Sequence, residues 1–81
     1  MWEIGFSQEA SNYAIDFHPY NEDILMAIES LAFTADGLPD DGYVELEPDI
    51  YLWQVAGHSV LYRRMTQGQR RLWIAIIKPN E

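Results

Sequence analysis

Residues 50–65 read IYLWQVAGHSVLYRRM. Two runs rich in β-branched and aromatic residues flank Ala56-Gly57, the pattern of two strands joined by a tight turn. The runs are Ile50–Val55 and His58–Met65. A third strand is expected over residues 70–77, after a turn at residues 66–69 that carries Gly68. Residues 74–77 are apolar on both sides, as in a strand with neighbours on each side. Upstream, Tyr43–Glu47 alternates weakly before Pro48-Asp49 interrupts it.

Before residue 42 the period is different. Trp2, Ile4 and Phe6 sit on one side of a short first strand. Ser7 follows as a helix cap, with Glu9 placed to favour the helix dipole. Ala10, Tyr13, Ala14 and Phe17 fall at i, i+3, i+4 and i+7, a one-sided helical stripe. His18-Pro19 ends that helix, because proline cannot continue the hydrogen-bond ladder. Asn21 is a second cap, and Ile24, Leu25, Ile28, Leu31 and Ala32 form the apolar face of a second helix. Residues 35–42, ADGLPDDG, read as a loop. Their acids resemble a calcium-binding run, but the ligand spacing and closing Glu of an EF-hand loop are missing. The expected class is α+β: an N-terminal strand, a two-helix hairpin, then an antiparallel meander of three to four strands with the helices on one face. With 81 residues there is room for one domain, spanning 1–81, with a modest core.

The two tight turns suggest a register. Pairing Val55 with His58 and Met65 with Arg70 puts Tyr51, Trp53, Val55, His58, Val60, Tyr62, Arg64, Arg71, Trp73, Ala75 and Ile77 on one face. Ile50, Leu52, Gln54, Ser59, Leu61, Arg63, Arg70, Leu72, Ile74 and Ile76 fall on the other. Either face is apolar enough to be the core. An open aromatic face beside Arg64 and Arg71 would suit unpaired bases or a protein hot spot. An open aliphatic face would need a partner to cover it.

Charge is lopsided. Net charge is −8, and residues 1–62 hold twelve acids with no Lys or Arg. All five basic residues, Arg63, Arg64, Arg70, Arg71 and Lys78, lie in the last nineteen positions. The body should repel a phosphate backbone, so RNA is expected only through the C-terminal basic hairpin. A protein partner of that body is expected to bring Lys and Arg. Homo-oligomers are left open.

No chemistry is announced by motif. There is no cysteine, which removes disulfides and thiolate metal sites and fits a cytoplasmic location. No basic, apolar leader or membrane-length run is present, so neither a signal peptide nor a membrane span is expected. His18 and His58 lack metal-ligand spacing to other candidates, and neither a metal nor a cofactor is expected. Ser7 and Ser59 lack a nucleophile elbow, and no phosphate loop occurs. Whether the chain is an enzyme stays open. The candidate binding residues are Arg63, Arg64, Arg70 and Arg71, with Gln54, Ser59 and His58 beside them.

The run Trp2-Glu3-Ile4-Gly5-Phe6-Ser7-Gln8-Glu9-Ala10 is similar to the opening of the RelE/ParE toxin superfamily, a strand ending in aromatic-Ser-x-Glu-Ala. Ile50-Tyr51-Leu52-Trp53-Gln54-Val55, a glycine turn and Val60-Leu61-Tyr62 resemble that family's central hairpin. The hydrophobic strand from Leu72 to Ile77 resembles its last strand. The resemblance implies a toxin of a toxin–antitoxin module, and it favours Tyr51, Trp53 and Tyr62 pointing inward. RelE-type members cut mRNA with Lys and Arg around the scissile phosphate. Aligned through the hairpin, those positions fall at Leu52, Gln54, Ser59 and near Asn80, and none carries a cation. Charge developing on a phosphate would go unstabilised there. The expectation is a toxin-like protein that works by macromolecular binding, as the gyrase-inhibiting ParE branch does. A non-toxic interaction domain of the same fold, and a ribosome-dependent mRNA endoribonuclease with relocated basic residues, are the alternatives.

Overall fold

The computed structural model describes residues 1–16 and 22–80. A first strand, β1 (Glu3–Phe6), leads into two helices, α1 (Gln8–Asp16) and α2 (Glu22–Ser30), the second extended by a 3-10 turn at Leu31–Phe33. Strands β2 (Tyr43–Glu47), β3 (Ile50–Val55), β4 (His58–Met65) and β5 (Arg71–Pro79) follow. They form one five-stranded sheet in the order β1-β5-β4-β3-β2. Among the described residues, no helix is long and apolar enough to cross a membrane.

The α+β class is as the sequence implies, but the sheet is mixed. β2 to β5 are antiparallel neighbours, whereas β1 runs parallel to β5, with Ile4 beside Leu72 and Phe6 beside Ile74. A parallel pair needs a long crossover. Here the helices and three strands supply it.

Each connection has a local cause. Ser7 accepts a hydrogen bond from the Ala10 amide on its Oγ (3.1 Å) and so caps α1. In α2, Ile24 and Ile28 are buried, and Leu31 continues their stripe into the 3-10 turn. Ala56 and Gly57 have φ of 52° and 73°, the two left-handed corners of a type I′ hairpin turn. Pro48 followed by Asp49 at φ 66° is the combination used by a type II turn.

The core lies between the helices and one sheet face. Trp2, Ala10, Ile24, Ile28 and Leu31 meet Tyr51, Trp53, Val60, Tyr62, Leu72, Ile74 and Ile77 in a single buried cluster, with Tyr13 packed against it. The stripe members Ala14 (its side chain) and Phe17, the stop at His18-Pro19 and the cap at Asn21 lie outside the described residues.

One register differs from the expectation. Val55 does pair with His58, but Met65 pairs with Arg71 rather than Arg70. Leu61 faces Ile76 and Tyr62 faces Ile74, so Ala75 is an extra residue in β5. This β-bulge reverses the faces of the first half of β5. Leu72 and Ile74 therefore join the aromatic core, and Arg71 and Trp73 turn to the opposite face. A strictly alternating strand would have put two aliphatic residues in water and buried an arginine.

Candidate functional site

Both helices pack on the aromatic face, so the other face of the sheet is bare. Val44 and Leu46 on β2 are more than half exposed, a consequence of β2 being an edge strand. Leu46, Leu52, Leu61 and Ile76, with Ser59 and Lys78, line a shallow groove of about 260 Å³. Beside it, Arg63, Met65, Arg71 and Trp73 line a second concavity of about 320 Å³. Gly5 lies under Trp73, and a Cβ there would come within 3.0 Å of the indole ring. The close approach lets the ring lie against β1.

The five cations divide into two groups. Arg64 donates from Nε (3.0 Å) and Nη2 (2.9 Å) to Asp49 Oδ1 and from Nη1 to the Asp36 carbonyl (2.8 Å). It also lies over the Tyr51 ring, 5.6 Å from its centroid. Burial works against its charged form, but the hydrogen bond with Asp49 and neighbouring anionic groups raise its pKa above the usual arginine value. Arg70 donates to the Ala35 carbonyl and stacks over Trp2, 4.3 Å from the ring centroid. These two guanidinium groups tie the loop after α2 to the sheet.

The other three sit on the bare face. Arg71 donates to Glu3 Oε2 across the β1–β5 pair (3.2 Å). Among the described residues, neither Arg63 nor Lys78 has a carboxylate within ion-pair distance.

Gln54, Ser59 and Asn80 form a hydrogen-bonded polar set at one end of this face. Ser59 Oγ lies 2.9 Å from Gln54 Oε1 and 2.6 Å from Asn80 Oδ1, and its single proton serves one of them at a time. Asn80 Nδ2 donates to Gln54 Oε1 (2.8 Å). These three groups are neutral and carry no charge to balance that on a phosphate.

His58 stands apart. Its Nδ1 lies 2.8 Å from the Ala56 carbonyl, which can only accept, so Nδ1 carries a proton. In the neutral ring Nε2 is then the acceptor for the Tyr13 hydroxyl at 2.5 Å. The rings meet edge to face, with centroids 5.5 Å apart. Both ring nitrogens are engaged, and the pair holds α1 against the β3–β4 turn. Among the described residues there is no group of three or more His, Cys, Asp or Glu suited to a metal ion. In the loop after α2, Asp36 Oδ1 accepts from the Leu38 amide (3.1 Å), a local turn bond.

The structure therefore brings Arg63 and Arg71 together on the bare face and Gln54 with Ser59 at its end, while Arg64, Arg70 and His58 are engaged in holding the fold. Sequence reasoning left Lys78, Leu52, Leu61 and Ile76, which line the groove of this face, out of its candidate binding residues, although it put Leu52, Leu61 and Ile76 on one face. Their signal was there: they alternate outward once the aromatic face is taken as core.

No family model, curated protein or solved structure matches the chain. The bare face must be read from its own chemistry.

Proposed function

We propose that this protein is a toxin-like component of a bacterial toxin–antitoxin module that acts by binding another macromolecule through the bare face of its sheet. The observation that carries the reading is the makeup of that face. Its floor is aliphatic, of Leu52, Leu61 and Ile76, and Leu52, Gln54 and Ser59, the positions where the resemblance would put cations, carry none. An aliphatic floor suits association, because burying it against a partner removes apolar surface from water. Two supports come from the chain itself. The order of one strand, two helices and then antiparallel strands is compatible in general class with the RelE/ParE resemblance, though β1 lies parallel to β5, and Tyr51, Trp53 and Tyr62 face inward as that resemblance would have them. The cations of the basic hairpin are partly spent on the loop after α2, which weakens the ribonuclease alternative.

The test is induced expression in a bacterial host, beside an assay of mRNA cleavage on purified ribosomes. Growth arrest without new mRNA ends, relieved by Leu61→Asp in a protein that still folds, is the expected outcome. Cleavage that depends on Arg63 or Arg71 would restore the endoribonuclease. Unimpaired growth would favour the non-toxic interaction domain.

A further inference from the structure

The net charge of −8 suggests a basic partner, but the apolar surface and the acidic surface do not coincide. Carboxylates crowd the helix side, where Glu22, Asp23 and Glu29 are exposed on α2. The bare sheet face is different. Its central floor, Leu61 on β4 beside Ile76 on β5, has Lys78 at one end and Arg63 at the other. Among the described residues, the carboxylates that share the face are at its margins. Glu3 is paired with Arg71, and Glu47 sits on the edge strand beside Ile50.

Building on the reading above, we infer that this face seats an amphipathic helix of a partner protein that carries acids, not bases, beside its apolar stripe. Helix geometry fits the spacing. Lys78 pairs with Ser59, four residues from Arg63 along β4, so at a strand rise of ~3.3 Å and one strand spacing of ~4.8 Å the two cations rise from points about 14 Å apart. Carboxylates at i and i+7 or i+8 of a helix are about 10–12 Å apart. The aliphatic residues between them, at i+3 and i+4, then lie over Leu61 and Ile76. The protein's other sheet face already accepts helices through Ile24 and Ile28, and the bare face offers the same pleated surface.

Other occupants fit less well. A second copy laid face to face would bring Arg63 and Lys78 against cations, between chains that each carry −8. Pairing through the β2 edge would set Glu45 and Glu47 against their own counterparts, a like-charge arrangement that edges use to avoid pairing. Among the described residues, a nucleic acid would find only two cations without an ion-pair partner on this face, separated by an aliphatic floor.

The experiment uses the full chain and two fluorescent helical peptides with the same Leu/Ile stripe, one flanked by Glu at i and i+7, the other by Lys. Fluorescence anisotropy is read at low and physiological salt. The Glu peptide should bind about tenfold more tightly than the Lys peptide, with the gap narrowing as salt rises. Arg63→Glu with Lys78→Glu should reverse the preference, and both substitutions are exposed enough to leave the fold intact, as circular dichroism would verify. Met26→Ala on the helix side should change neither affinity. Tighter binding of the Lys peptide, lost on Leu61→Asp, would overturn the acidic partner while keeping the docking face. Binding of neither peptide would overturn both. A single-stranded RNA that outcompetes the Glu peptide and depends on Arg63 and Lys78 would overturn the inference in favour of nucleic acid.

Discussion

Ser7 Oγ donates a 2.5 Å hydrogen bond to the carbonyl of Ala75, the residue left over where β5 bulges against β4. The same oxygen accepts from the Ala10 amide. One hydroxyl thus joins the start of α1 to the irregularity that sets which residues of β5 face the core. Ser7→Ala should cost about 1–2 kcal/mol, at the upper part of the range for a lost cap. Urea denaturation would check this, and a loss within 0.3 kcal/mol or so would mean that water replaces both bonds.

Tyr62 is fully buried, and its hydroxyl donates to the Gly37 carbonyl (3.0 Å). Burial pushes its pKa well above the ordinary 10.0, and burial raises Tyr51 as well, against the lowering influence of Arg64. The folded state therefore favours neutral phenols. Their contribution to stability is fully present below pH 10 and is lost as pH climbs from there through the raised folded values. Melting temperature should fall steeply above about pH 10. Tyr62→Phe should flatten that fall while costing about 1 kcal/mol at neutral pH for the orphaned carbonyl.

Arg63 and Arg64 are adjacent in sequence and opposite in role. Arg64→Ala removes three hydrogen bonds to Asp49 and Asp36 and should cost roughly 1–3 kcal/mol. Arg64→Lys should rescue little, since one ammonium cannot reproduce the planar fork. Arg63→Ala should stay within about 0.5 kcal/mol of the parent. Denaturation of the three variants decides, and equal losses for Arg63 and Arg64 would contradict the assignment.

Leu31 is 2% exposed at the junction of α2 and its 3-10 turn. Leu31→Ala should cost about 2–5 kcal/mol, enough in a domain this small to unfold much of the population. A near-zero change would place the stripe of α2 outside the core.

Gly37 has φ 71°, and a Cβ there would meet Leu72 Cδ2 at 3.0 Å and the Trp2 ring at 3.1 Å. Gly37→Ala combines left-handed backbone strain with crowding of the core, so about 1–3 kcal/mol should be lost. A thermal melt is sufficient to test it.

Strands β3 and β4 and the α2 stripe were legible because each is a local periodicity, readable without knowing any partner. The face of β5 was not. Its residues 72–77 are apolar at nearly every position, so alternation carries no information there, and the bulge at Ala75 leaves no mark in composition. The partnership of β1 was hidden for a different reason: its mate lies at the far end of the chain. Arg64 and Arg70 looked like binding residues because sequence shows their charge. It does not show the carbonyls of Asp36 and Ala35 that they hold.

Glu3 and Arg71 are neighbours across the β1–β5 pair although 68 positions separate them. During synthesis β1 emerges well before its mate β5. At roughly 5–20 residues per second, Ile4 and Phe6 wait several seconds with no strand to lie against. Because β5 also lies between β1 and β4, the sheet cannot close from either side until β5 arrives. Assembly is thereby gated by the arrival of β5. A nascent chain stalled before β5 would expose an incomplete apolar surface, and a fragment ending at Met65 would lose two strands rather than one.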